Sequence, residues 1–196
     1  MGFPIPLWPS AFVFPLALCF YYFLLAGGRT LKIEDGDDLQ VAVAQVSFLS
    51  GLFGTIWLGI RMPVPIANAA GGAALMVCAL LLFEWARHSV RDRGFRIAWS
   101  GEVPEGLCEQ GPYRFVRHPL YASYIVAFAA QLVALPSWWT LVIFAFNAGL
   151  FIHAAFDDER SMARSELAAD YAAYRMRTGM FLPRLGKRAR ARARPD

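Results

Sequence analysis

The sequence predicts an all-α integral membrane protein with about five transmembrane helices and a cytoplasmic C-terminal helix. Three observations carry that expectation. Of 196 residues, 57% are hydrophobic and only 17% are charged, against about 25% charged in ordinary soluble domains. Five stretches approach the roughly 20 apolar residues that a bilayer-crossing helix needs. With the C-terminus placed in the cytoplasm, 18 of the 19 lysines and arginines fall on that side, which is the bias that orients membrane helices.

The first span is expected at about Leu7–Gly27. The N-terminal stretch lacks the basic n-region of a secretory signal, so it is read as part of the mature protein. The second span is expected at about Leu39–Ile60 and the third at about Val64–Trp85. Small residues four apart, Ser47 with Gly51 and Ser50 with Gly54, and the run Asn68–Ala74, suit close helix packing in lipid. The fourth span, about Leu120–Leu135, and the fifth, about Ser137–Phe156, meet at Pro136 and Ser137, so they must form a tight helical hairpin. Only Arg61 falls on the outer side, which puts the N-terminus outside and the C-terminus inside. The chain divides into residues 1–86, with three N-terminal spans, and residues 87–196, with a cytoplasmic loop, the hairpin and the C-terminal helix.

The three cysteines are far apart, and no disulfide framework or metal site is expected from their spacing. Cys19 and Cys78 lie in apolar runs and are expected to pack in the core. After the fifth span, "DDERSMARSELAADYAAYRMRTG" has a helical pattern. Asp157, Asp158 and Glu159 suit the positive N-terminal end of a helix, and Arg175 and Arg177 its C-terminal end. Gly179 suits the cap, and Met162, Leu167, Tyr171 and Tyr174 suit one shared face. The basic tail "GKRARARARPD" is either a plain positive-inside anchor or a grip on anionic headgroups, at about 1 kcal/mol per basic residue near the surface.

One segment breaks the apolar pattern: "GPYRFVRHPLYASY", Gly111–Tyr124. The hairpin brings its start beside the acids after the fifth span, so His118 and Tyr121 should lie near Asp158 and Glu159. Such a place suits a zwitterionic ligand. Arg117, His118 and backbone amides near Pro119 can take a carboxylate, and Asp158 or Glu159 can take an ammonium or a ribose hydroxyl. Tyr113 and Tyr121 offer flat faces to an aromatic base or a sulfonium. The alternative is a salt-bridged membrane boundary with belt tyrosines.

The stretch "LCEQGPYRFVRHPLYASY" resembles a signature of the isoprenylcysteine carboxyl methyltransferase family. "DDERSM" followed by "ADYAAYRMRTGMFLPRL" resembles that family's C-terminal signature, and phospholipid methyltransferases share both more loosely. The resemblance covers about Leu107–Leu185. It implies a membrane-embedded enzyme that uses S-adenosylmethionine without a Rossmann fold. It implies cofactor contacts at Tyr113, His118, Pro119, Leu120 and Tyr121, an upstream contact reaching Leu107, and a cofactor-binding acid at Glu159, with Asp158 completing the acidic pair unless the register shifts to Glu159 and Arg160. The sequence departs from the family where Ala122–Ser123 stands in place of a residue and then glycine after the tyrosine, with Ser123 still small, and where Leu167–Ala168 stands in place of its phenylalanine–glycine. Its substrate-binding arginine has no counterpart, and His153 is the nearest basic residue.

The expected activity is S-adenosylmethionine-dependent methyl transfer to an amphipathic or lipid-like acceptor, with carboxyl O-methylation of a prenylcysteine-type substrate as one form. No catalytic residue is assigned, because a sulfonium methyl donor needs alignment more than acid–base help. The alternatives are a phospholipid N-methyltransferase, an NADPH-dependent membrane reductase and a non-enzymatic relic. The expected partners are membrane lipids and a lipid-like or prenylated small molecule, not nucleic acid, with the site facing the cytoplasm.

Overall fold

The computed structural model describes residues 15–23, 25, 38–90 and 106–184. Within them the chain is helical: α1 (residues 15–23), α2 (Asp38–Arg61), α3 (Ile66–Val90), a 3₁₀ turn (Gly111–Arg114), α4 (Pro119–Ala134), α5 (Trp138–Met162) and α6 (Ala168–Arg177). A parallel β-bridge between Val116 and Gly179 joins the entry to α4 to the chain after α6.

Helices α3 and α5, at 25 residues each, are long and apolar enough to cross a membrane, with mean hydropathies of 2.1 and 1.7. At 16 residues, α4 is a shorter apolar helix. Much of the first expected span lies outside the described residues. A 25-residue helix is about 37 Å long, more than the roughly 30 Å hydrocarbon layer, so α5 has length to spare. Its apolar run ends at Phe156, and nearly two further turns, from Asp157 to Met162, project beyond it.

The α4–α5 hairpin is as tight as the sequence predicts. Leu135 closes α4, and Ser137 caps α5: its side chain accepts from Thr140 N while Thr140 Oγ1 accepts from Ser137 N. Helix α3 lies closely against α4. An added Cβ at Gly72 would stand 2.6 Å from Ala134 Cβ and 2.8 Å from Ala130 O, so glycine is what permits the approach. Asn68 Nδ2 donates to Val133 O at 3.0 Å beside it. Gln131 Nε2 donates to Gly51 O and Thr55 Oγ1, at 2.8 and 2.9 Å, and ties α4 to α2.

The core is aromatic. Phe23 meets Phe83 at 5.0 Å, Phe48 meets Phe128 at 5.2 Å, and Tyr124 meets Phe151 at 5.0 Å between centroids. Outward lie Leu18, Phe53, Leu81, Val142 and Phe146, an exterior suited to lipid. Cys78 also faces outward rather than into the core, because α3 is apolar all round and the sequence pattern does not mark its packed face. Cys19 packs against the core as expected.

The bundle has two unlike ends. At one, Arg61 lies over the Trp57 ring at 3.7 Å, Trp139 meets Gly54, and Trp138 is exposed. At the other gather Ser89, Cys108, the 3₁₀ turn, the start of α4, the end of α5 and α6.

Candidate functional site

The site-forming segment begins with a backbone constraint. Gly111 has φ +57°, the left-handed region that favours glycine, and a Cβ there would lie 2.0 Å from Ser89 Oγ. The turn delivers Tyr113 half-buried against the core. His118 then caps α4, with Pro119 at the first helical position, where a missing N–H costs nothing.

The acids arrive from α5, and here the structure corrects the sequence expectation. Asp157, Asp158 and Glu159 lie in the last two turns of α5, not at the start of a new helix. Nothing between Phe156 and Met162 is a proline or glycine, so the helix runs on. The carboxylates therefore sit at the negative end of the helix dipole, where they are disfavoured, and cations gather to offset this. Arg117 Nε and Nη2 each reach Glu159 Oε1 at 2.7 Å. His118 Nε2 lies 3.6 Å from that oxygen, and Arg175 Nη2 lies 3.4 Å from Oε2. Burial works against the Glu159 charge, but the His118 ring, the Arg117 guanidinium and the charge of Arg175 outweigh it and hold its pKa down to about 2. Tyr121 Oη donates to Asp158 Oδ2 at 2.9 Å, and His118 Nδ1 lies 4.0 Å from the same oxygen. Burial pushes the Asp158 carboxyl up, against the charge of His118 and the bond from Tyr121.

Flat surfaces frame the acids. The His118 and Tyr121 rings are 9° from parallel with centroids 5.6 Å apart, and Phe151 stacks behind Tyr121 at 5.8 Å. Phe181 approaches His118 from the C-terminal side at 6.1 Å. Helix α6 closes this end: Tyr171 and Tyr174 are buried on one face, and Tyr174 Oη donates to Tyr113 O at 2.6 Å. Burial pushes the Tyr174 hydroxyl up, so it stays a donor. The cap of α6 is Thr178, not Gly179, because Gly179 N donates to Phe115 O in the β-bridge instead. Met162 ends α5 and Leu167 precedes α6, so neither shares the α6 face of the two tyrosines.

Arg117, His118, Tyr121, Asp158 and Glu159 thus come together, with Pro119 and Leu120 buried in the first turn of α4. Of the residues in the two possible registers, Asp158 and Glu159 reach the cluster, whereas Arg160 is exposed and pairs with Asp157 at 2.8 Å. Leu107 is half-buried ahead of the 3₁₀ turn. His153 is not brought in: its side chain is 70% exposed and pairs with Asp157 at 2.9 Å. Arg175 and Phe181 belong to the cluster, and the sequence reading missed them. Arg175 is read there as a dipole complement, and Phe181 follows the helix, where no periodicity marks it.

Residues 67–165 match the family model described as phospholipid methyltransferase, which is just over half of the chain and takes in both the His118 segment and the acids. The chain belongs to the phospholipid methyltransferase family. The resemblance read from Leu107–Tyr124 is borne out at the level of this group of membrane methyltransferases. Over 147 residues the chain is 27% identical to methanethiol S-methyltransferase 2 of Bradyrhizobium diazoefficiens, covering 68% of this chain. It spans 56% of that relative's length. Family membership together with the apolar α3 and α5 supports a membrane protein of this family.

Proposed function

We propose that the protein is an S-adenosylmethionine-dependent methyltransferase with five spans, its N-terminus outside and its site facing the cytoplasm. The observation that carries this reading is His118. Its side chain is only 10% exposed, and beyond the Glu159 oxygen 3.6 Å away Nε2 has no hydrogen-bond partner among the described residues. A buried polar atom left so is costly, and a ligand bound between His118 and the acids would complete it. The half-exposed Arg175 and the partly exposed Asp158 give such a ligand a charged rim.

S-adenosylmethionine, when bound, supplies a methyl group already activated on a sulfonium. The protein's task is then to align, desolvate and hold. Glu159 and Asp158 are suited to an ammonium or ribose hydroxyls, and Tyr121 provides a flat face for a base or a positive sulfur. Tyr113 and Leu107 border the same end from the 3₁₀ side. His118→Ala and Glu159→Ala should each weaken cofactor binding by about 2–5 kcal/mol, whereas Cys78→Ala, on the exterior, should not.

The acceptor is read as a lipid-like molecule with a small polar nucleophile that enters sideways from the bilayer. Ile152 and Phe156 are exposed on the cytoplasmic part of α5 and suit such an approach, while Phe151 is buried behind Tyr121. A second reading, a small apolar thiol, is favoured by the similarity to a methanethiol S-methyltransferase. Both acceptors partition into a membrane. The test is methyl transfer from labelled cofactor into lipid extract, a prenylcysteine analogue, methanethiol and water-soluble metabolites, alongside binding titrations with S-adenosylmethionine and NADPH. Label confined to the water-soluble pool would overturn the acceptor class, and binding of NADPH alone would overturn the activity.

A further inference from the structure

Arg117 is assigned by its sequence motif to a ligand, but its surroundings give it other work. Its side chain is only 7% exposed. Nε and Nη2 are directed at Glu159 Oε1, and Nη1 donates to Thr178 O at 2.7 Å. Those contacts join the entry to α4, the last turn of α5 and the chain after α6. The backbone joins two of the same segments: Arg117 N donates to Gly179 O at 2.9 Å, His118 N to Met180 O at 3.1 Å, and Gly179 N to Phe115 O at 3.1 Å.

We propose that Arg117 is a positioning residue: it orients the Glu159 carboxylate beside His118 and fastens the Thr178–Phe181 strap across the site, without itself touching the ligand. This inference rests on the reading of the cluster as a cofactor site. Glu159 needs such a partner, being buried at the negative end of a helix. The charged and titratable groups that face it are Arg117 and His118 from the entry to α4, Tyr171 and Arg175 from α6, and its own neighbour Asp158. Arg175 is half exposed and 3.4 Å away and His118 lies at 3.6 Å, whereas the buried Arg117 meets Glu159 Oε1 with two nitrogens at 2.7 Å. In the wild type Glu159 is held down to about 2 and stays ionised at ordinary pH. Without the guanidinium, burial raises its proton affinity, and the neutral acid gains population as pH falls.

The test uses the full chain in lipid nanodiscs, with S-adenosylmethionine as the probe. Dissociation constants are measured from acidic to neutral pH for wild type, Arg117→Gln and Arg117→Lys. The variant-to-wild-type ratio removes the ligand's own titration. For Arg117→Gln the ratio should be at least about 30-fold at neutral pH and should grow as the pH falls. For Arg117→Lys, which keeps the charge but cannot hold both Glu159 and Thr178 O, the ratio should be smaller and flat. A flat ratio for the glutamine variant, or an equal acid slope for the lysine variant, overturns the role. If the glutamine variant does not fold, the lysine variant decides. It should bind about tenfold more weakly, the worth of one charge-assisted hydrogen bond, and should be cut faster by trypsin at Arg177 and Arg184. Wild-type affinity with an unchanged cleavage pattern would overturn the proposal. Absence of binding by the wild type would sink the cofactor reading and this role with it.

Discussion

Gly111→Ala tests whether a single backbone position holds the site segment in place. The residue sits at φ +57°, where an L side chain costs about 1–2 kcal/mol. Its new methyl would also meet Ser89 Oγ at 2.0 Å, Ser89 Cβ at 3.0 Å and Trp85 Nε1 at 3.1 Å, and overpacking of this kind costs about 1–3 kcal/mol. The two effects together predict a loss of about 2–5 kcal/mol. Ser89→Ala removes the closest of those atoms and leaves Cβ in place. The double variant should therefore recover most of the overpacking and keep the backbone cost, a coupling that a double-mutant cycle isolates. The assay is reversible denaturant unfolding in micelles, run in parallel with S-adenosylmethionine binding, since the 3₁₀ turn carries Tyr113 and leads to His118. A Gly111→Ala variant within about 0.5 kcal/mol of wild type, the range of ordinary surface changes, would refute the argument. So would a Ser89→Ala background that gives no recovery.

The α3–α4 contact predicts a sharp contrast between adjacent glycines. Gly72→Ala should destabilise the same unfolding transition by about 1–3 kcal/mol, whereas Gly71→Ala should stay near neutral, since its methyl meets only a movable Val133 Cγ1 at 3.2 Å. Gln131→Leu should cost about 0.6 kcal/mol, the mean for interhelical polar contacts in membranes, because deleting its buried Oε1, unpartnered among the described residues, offsets the lost bonds; a loss above about 2 kcal/mol would show a larger network. Reporter fusions after Asp196 and after Arg61 should give cytoplasmic and outer signals respectively, and a cytoplasmic signal at Arg61 would refute the proposed topology.

The meeting of His118 and Tyr121 with Asp158 and Glu159 is legible in the sequence because it depends on chain connectivity alone. Two apolar runs joined at Pro136–Ser137 must return to the same end. The polarity of the acidic turn is not legible in the same way. A run of three acids looks like a helix start, and only the absence of any breaker between Phe156 and Met162 argues otherwise. Once α5 is known to be continuous, the rest follows from helical geometry. Successive residues are about 100° apart, so Asp158 and Glu159 point to different partners, Tyr121 for one and Arg117 for the other. His153 is six residues before Glu159, which places it about 240° around the helix, on the exposed side with Asp157. His153 is the basic residue nearest to the position of the family's substrate arginine, but on a helix only spacings of three or four share a face. Arg175 is the converse case. It is sixteen residues beyond Glu159 and on another helix, and it reaches that carboxylate only because Tyr171 and Tyr174 bury the inner face of α6 against the site. The periodicity marks that face, but the segment that covers it becomes evident only when the Val116–Gly179 bridge is seen.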